Sequence, residues 1–459
     1  MTEPRRRAAK ARNRWVVTAL GALVVCTAAG CTDDSPGPGP RKGEIVLATG
    51  SDLSSTGVRQ DLIRAWEKRT GNTVRIVKLP DTADGQRSQL LAAGQSGNSG
   101  YDVLNIDVAW TAEFAAAGVI RPWEGKLDPD FLDSVVKTTQ YDGKVWGVPF
   151  NTDAGLLYYR KDLLGEYLGD SRPPDNWGEL KNMATQVTDA YNKKHKDKLA
   201  GLVTQLRPYE GLTVNTLEAA WAAGGAPEAT SFTKGEQVGA LQQGVADLKT
   251  LLNSIMPPQV TAMDETESRR WFADGKALFM RNWPVEYASV ADKLTPGEQF
   301  DVTELPTRPR DGKRLSVLGG QNLAISAASD RPALARQLIE ALTGPQSERC
   351  LLERGFAATR DSAYRDPGRA PVCGLPPENA DRGESGGPSP AGGDGREPAY
   401  KKTLYAALRA AEPRPRSVHY QTFSKVVQIR VSEYLRRQDN TAVADALARE
   451  ADKALNGRG

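Results

Sequence analysis

Between Glu44 and Asp107 the chain switches repeatedly between two hydrophobic periods, and this narrows the folds open to it more than any other feature. "EIVLATG" (44–50) is an unbroken apolar run closed by glycine, as a strand covered on both faces requires. "VRQDLIRAWEKRTG" (58–71) then puts Val58, Leu62, Ile63 and Trp66 on one helical face and stops at Gly71. "NTVRIVKL", "QRSQLLAAG" and "YDVLNID" repeat strand, helix, strand. This order predicts a parallel α/β lobe, in which ligands sit outside the carboxyl ends of the strands. The rule directs attention to Ser51 and Asp52, to Pro80 through Asp84 with Asp81 among them, and to Asp107 through Trp110.

Ahead of this lobe, "MTEPRRRAAKARNR" carries six basic residues and one acid, and Trp15 to Gly30 is a 16-residue uncharged run. As a helix that run would span about 24 Å, short of the ~30 Å hydrocarbon core, so a cleaved export signal fits better than a membrane span. "TAAGC" resembles the lipobox of bacterial lipoproteins. The resemblance implies that residues 1–30 are a signal peptide, that Cys26 is discarded, and that Cys31 is the lipidated first residue of a protein held on the extracellular face of the cell membrane. "PRRRAAK" leaves the export route open between the general and twin-arginine systems. Residues 31–43 have the proline, glycine and charge content of a solvated tether.

The formal net charge of +3 includes this leader; after Gly30 there are 54 basic and 56 acidic residues. Such a balance gives no electrostatic footprint for nucleic acid. Cys350 and Cys373 remain as an even pair in an oxidising compartment, where a disulfide between them is expected. Two histidines, His195 and His419, make a histidine-based metal site improbable by composition, and no phosphate-binding loop, nucleophile elbow or H-E-x-x-H motif occurs. No cofactor, metal or catalytic group is therefore expected. A carboxylate pair for glycoside hydrolysis, such as Asp107 with Glu210, stays open as an alternative.

Further on, "YDGKVWGVPFNTDAGLLYYRKDLL" reads as turn, apolar run and helix start, and Asn176 with Glu179 reads as a capping box. Helices are expected at Leu212 to Ala223, at Gly239 to Ile255, in "ALARQLIEALTGP" and in two C-terminal stretches; "SRRWFADGKALFMRNWP" and "LSVLGGQNLAIS" read as strands or strand approaches. Residues 374–398 hold seven glycines and five prolines and read as a disordered surface insertion.

Six segments in order, "YDVLNIDVAWTAEFAAAGVIRPW", "GVPFNTDAGLLYYRKDLL", "YEGLTVNTLEAAWAAGG", "ALFMRNWP", "LGGQNLAIS" and "RPRSVHYQTFS", resemble the extracellular solute-binding lipoproteins of carbohydrate ABC importers, the trehalose and maltose type. The resemblance implies an α/β, two-lobed periplasmic-binding-protein fold of type II with a multi-strand hinge. Lobe one would be 44–151 plus 305–354, and lobe two 152–304 plus 355–459. It implies a monomer that captures a carbohydrate by closing its lobes and delivers it to the importer's permease subunits. It places ligand-binding groups at Asp107, Asn151, Glu210, Trp283, Gly320 and Arg414, with Asp52 and Asp81 supported as much by their strand-end loops.

These residue types suit a sugar, whose hydroxyls need partners when desolvated and whose C–H faces suit an aromatic plate. Each has a plain structural alternative. Asp107 could cap the next helix, Asn151 and Asp153 could be turn residues, and Glu210 could start a helix. Trp283 could be core, Gly319 and Gly320 could permit a bend, and Arg414 between Pro413 and Pro415 could form a surface ion pair. Trp110, Tyr209 and Tyr420 could stack on a ligand or merely pack. His419 stands where the family pattern leads one to expect proline or a small residue. A third possibility is the same fold binding a polyamine, a peptide or a phosphate ester.

Overall fold

The computed structural model describes residues 43–51, 57–97, 100–227, 231–232, 236–308, 311–365, 373, 397–437 and 441–458, and the elements counted below are those among them. Twelve strands are β1 (Glu44–Thr49), β2 (Thr73–Lys78), β3 (Val103–Asp107), β4 (Gln140–Tyr141), β5 (Lys144–Val145), β6 (Val148–Ala154), β7 (Leu156–Tyr159), β8 (Ala200–Val203), β9 (Ala277–Asn282), β10 (Asp301–Glu304), β11 (Val317–Ile325) and β12 (Glu412–Pro413). Lobe one is built on a six-stranded sheet in the order β12-β11-β3-β1-β2, with β6 also paired to β11. The β1–β2 and β1–β3 pairs are parallel, whereas β11 runs antiparallel to both β3 and β6. Lobe two is built on a four-stranded sheet, β10-β7-β9-β8.

The two hydrophobic periods become these elements directly. Ile45 through Thr49 are all buried, and Val58, Leu62, Ile63 and Trp66 of the helix Val58–Thr70 pack into the same core as Ile45 and Leu47. Gly71, at φ 71°, ends that helix with its N–H donating to Glu67 O. Asn176 caps the helix Trp177–Lys194 by accepting from Glu179 N at 2.9 Å, but the Glu179 carboxylate reaches back to Asp175 N and not to Asn176, so only half of the expected box forms.

One expectation is met only in part. The start of "SRRWFADGKALFMRNWP" is helical, Glu265–Ala273, and only Ala277–Asn282 is strand. Asp264 caps this helix through Glu267 N, and Gly275 at φ 75° turns the chain into β9. Asp274, Gly275 and Lys276 separate Trp271 and Phe272 from the apolar run of β9 and mark the turn between the two elements.

The chain passes between the lobes at Gly155, where β6 of one sheet becomes β7 of the other over a single residue. A Cβ at Gly155 would lie 2.5 Å from Glu218 Oε1 and 2.8 Å from Arg281 Nη2, so no larger residue fits there. It passes again between β10 and β11, and a third time beyond Ala357, whose carbonyl accepts from Thr152 N at 3.0 Å. The later helix Glu397–Ala410 reaches lobe two through Tyr400, stacked on Tyr287 with ring centroids 3.8 Å apart. β12 returns briefly to lobe one beside β11. The Sγ atoms of Cys350 and Cys373 are bonded, with Cα atoms 5.4 Å apart.

Candidate ligand site

Three backbone directions converge where the sheets face one another. β3 ends at Asp107, the helix Glu210–Ala222 begins at Glu210, and β12 leads into Arg414. Arg414 joins the other two: Nη2 donates to Asp107 Oδ1 at 2.6 Å and Nη1 to Glu210 Oε1 at 2.8 Å. Glu210 also accepts from the Tyr420 hydroxyl and, at 2.7 Å, from Ser424 Oγ, both on the helix Tyr420–Arg436. A carboxylate of lobe one and one of lobe two thus share one guanidinium.

Arg414 stays protonated: burial works against its charge, but Asp107, Tyr420 and Glu210 outweigh it. Burial pushes Glu210 above the ordinary carboxylate range, opposed by Arg414 and by its hydroxyl donors. Asp107 Oδ1 also accepts from Ala109 N at 2.8 Å, within the turn that follows β3. The next helix, Thr111–Ala116, begins at Trp110 with no side-chain cap, so the capping role open to Asp107 in the sequence is not taken up.

β6 adds Asn151 and Asp153, two residues apart and hence on one face of the strand. Burial, reinforced by Asp107, raises Asp153 to about 8, with Arg281 and Arg414 pulling the other way. Asn151 Oδ1, Asp153 Oδ1 and Arg414 Nε are buried without a hydrogen-bonding protein partner. A buried polar atom left unpaired costs about 1–3 kcal/mol, so three together describe a surface suited to a polar guest.

Trp283 follows β9 and is fixed from several sides. Its backbone N–H donates to Asn282 Oδ1 at 2.9 Å, its carbonyl accepts from the Tyr158 hydroxyl at 2.7 Å, and Nε1 donates to Glu265 Oε1 at 3.3 Å. The Arg281 guanidinium lies over the indole ring at 3.9 Å and is itself held by Glu218 through two hydrogen bonds of 2.9 and 2.6 Å. A Cβ on Gly319 would stand 3.1 Å from Asp153 Cβ and 3.4 Å from Trp283 Cζ3, which sets strand, carboxyl and indole side by side.

Gly320, at φ 108°, lets β11 approach β6, because a Cβ there would collide with Asn151 O and Thr152 Cα. Its carbonyl accepts from Val108 N at 3.1 Å, which ties β11 to the turn after β3. Asp81 is exposed and faces Ser51 Oγ and Lys78; no hydrogen bond or ion pair joins it to the cluster. Asp52, Cys31, Cys26, the signal peptide and all but the last two residues of the 374–398 insertion lie outside the described residues.

Tyr420 is buried with its hydroxyl spent on Glu210, and Trp110 stacks on Phe114, so these two pack. Tyr209 donates to Glu265 Oε2 at 2.7 Å. His419 is exposed and lies against Gly457, away from the cluster. Glu265, Arg281, Glu218 and Ser424 were not singled out in the sequence. For Asp153 the signal was its two-residue spacing from Asn151; for the others, whose partners lie far along the chain, there was none. Among the described residues no cluster of three or more His, Cys, Asp or Glu side chains is arranged to hold a metal ion.

A family model described as bacterial extracellular solute-binding protein matches residues 61–370. A probable ABC transporter-binding protein of Deinococcus radiodurans is 34% identical over 314 residues, 66% of this chain and 72% of that one. Among solved structures, maltose-bound T. maritima MalE3 aligns with a TM-score of 0.75 and 28% identity over 90% of this chain and 99% of that one. UgpB from Mycobacterium tuberculosis, in complex with glycerophosphocholine, aligns with a TM-score of 0.71 over 91% and 99%; at 17% identity that likeness concerns the fold alone. With an α/β fold of the two-lobed type and a family model that matches residues 61–370, the chain belongs to the bacterial extracellular solute-binding protein family.

Proposed function

We propose that this chain captures a di- or oligosaccharide of the trehalose or maltose type by lobe closure and delivers it to the permease of an ABC importer. The observation that carries the reading is the Asp107–Arg414–Glu210 bridge, set beside Trp283 and the unpartnered acceptors of Asn151 and Asp153. Paired carboxylates and a guanidinium match vicinal hydroxyls, and an indole matches the apolar face of a pyranose. The likeness to a maltose-bound protein supports the same class. Groups from both lobes meet at one guest, as closure by a ligand demands, since a guest that favoured neither state would shift nothing. The lobes are taken as 44–151 with 305–354 and 152–304 with 355–459, apart from residues 152–154 at the end of β6 and from β12, which pair with β11 of the first sheet. Anchoring through lipidated Cys31 would keep this monomer at the outer face of the membrane beside its permease.

A second reading is the same fold closing on a cationic solute. It is favoured by one observation: Asp107, Asp153, Glu210 and Glu265 surround the site, while of the two arginines there Arg281 is already paired with Glu218. Thermal shift of the chain from Lys42 onwards separates the two readings, since a guest that binds only the folded state raises the melting temperature. Maltose or trehalose should give the rise, with no new reducing ends. A rise with spermidine and none with any sugar would overturn the carbohydrate reading. New reducing ends would make the chain an enzyme.

A further inference from the structure

Lobe two contains a cavity of about 450 Å³ that none of Asp107, Asn151, Asp153, Glu210, Trp283 or Arg414 lines. That volume lies within the roughly 300–1,000 Å³ of small-molecule sites. Its walls are apolar: Leu202 of β8, Ala219 and Ala222 of the helix Glu210–Ala222, Leu248 and Leu251 of the helix Glu236–Ser254, and Met256.

The polar atoms of its floor are already committed. Asn215 Nδ2 donates to Gln205 O and Gly211 O, while Asn215 Oδ1 accepts from Thr204. Glu218 accepts twice from Arg281 and once, at 3.0 Å, from Val317 N. A floor with every donor and acceptor spent selects an apolar body. On one side, Trp177 and Lys181 stand one turn apart on the helix Trp177–Lys194 and so share a face. Both side chains are half-buried, and among the described residues neither the Lys181 ammonium nor the Trp177 indole N–H has a hydrogen-bond or ion-pair partner. The carboxylate of the opposite rim, Asp247, is exposed and accepts from Gln243 Nε2 at 2.8 Å.

We propose that this cavity is a second ligand site, separate from the cleft, for a small amphiphile with an apolar body and one anionic head received by Lys181 and Trp177. The site stands whichever solute the cleft takes. It shares two residues with the neighbourhood of the cleft, because Arg281, which lies over the Trp283 ring, and Glu218, which holds it, both line the cavity.

Titration calorimetry of the full chain with octanoate, 1-octanol and octylamine tests it. Octanoate should bind most tightly. Lys181→Gln should weaken octanoate about fivefold and leave octanol unchanged, the scale of one partly exposed ion pair. Ala222→Leu should abolish both by filling the cavity, and if that variant does not fold, the rim variant Lys181→Gln decides alone. The response of the cleft to maltose or spermidine should be the same in Lys181→Gln as in the parent. No binding of octanoate at millimolar concentration would overturn the proposal. So would octylamine binding as well as octanoate, or octanoate binding lost in Trp283→Ala but kept in Lys181→Gln, which would put the amphiphile in the cleft.

Discussion

At the scale of single residues, Trp283 and Arg414 make different demands on the cleft. Trp283 gives its polar edge to Glu265 and one ring face to Arg281, which leaves its remaining apolar surface as its contribution to a guest. Trp283→Ala should therefore weaken sugar binding by about tenfold or more with little change in melting temperature, and an unchanged dissociation constant by calorimetry would remove the indole from the site. Arg414 neutralises two buried carboxylates, so Arg414→Ala should cost stability as well, by about 3–5 kcal/mol in denaturant titrations. Asp153 adds a pH dependence. Its folded value of about 8 lies above its ordinary 3.8, so between those limits the folded chain holds a proton that the unfolded chain has lost. Stability from this group is thus lost as pH rises, by at most about 1.4 kcal/mol per pH unit, and the full cost is reached above pH 8. Asp153→Asn should flatten the decline in melting temperature from pH 5 to pH 8 relative to the parent; parallel curves would show that Asp153 ionises normally.

At the scale of elements, local periods were readable and long-range pairings were not. β1, β3 and the helix Val58–Thr70 follow from burial patterns that each segment carries within itself. The helix Glu265–Ala273 did not stand out, because nine residues offer only about two and a half turns of period. Its one local signal was Asp264 three residues ahead of Glu267, the spacing of an N-cap and its donor. The cleft follows the same logic. Asn151 and Asp153 share a strand face by spacing alone, whereas Arg414 meets Asp107 and Glu210 because β12 joins β11 and the helix Tyr420–Arg436 packs behind Glu210, which no window of sequence contains. The disulfide belongs to this scale too. It ties the helix Pro345–Glu353 to Cys373, 23 residues on, and Cys350→Ser with Cys373→Ser should lower stability by about 3 kcal/mol in the chain-entropy model. Equal denaturant midpoints for the double variant and the parent would mean the link contributes nothing.

At the scale of the whole molecule, the lobes also touch through neighbours in sequence of Tyr420 and Ser424, the residues that hold Glu210. Asp84, in the first turn of the lobe-one helix Ala83–Gln95, accepts from Gln421 Nε2 at 2.8 Å and faces Lys425 Nζ at 3.4 Å, both on the lobe-two helix Tyr420–Arg436. Such contacts exist only when the lobes are together, so they add to the stability of the closed form without contacting what it encloses. Each is partly exposed and worth about 0.5 kcal/mol, or roughly fivefold for the pair. Asp84→Ala should therefore raise the rate at which the cleft's solute leaves by about that factor while its entry rate stays unchanged, because entry precedes closure and exit requires reopening. The Lys425 share is electrostatic and screened, so in about 1 M salt, where the Debye length falls to about 3 Å, the gap between parent and variant should narrow by about half. Stopped-flow measurement of both rates at two salt concentrations checks this. An unchanged exit rate would place the whole closing force in the guest and the Asp107–Arg414–Glu210 bridge, and a changed entry rate would mean that the lobes already meet before the solute arrives.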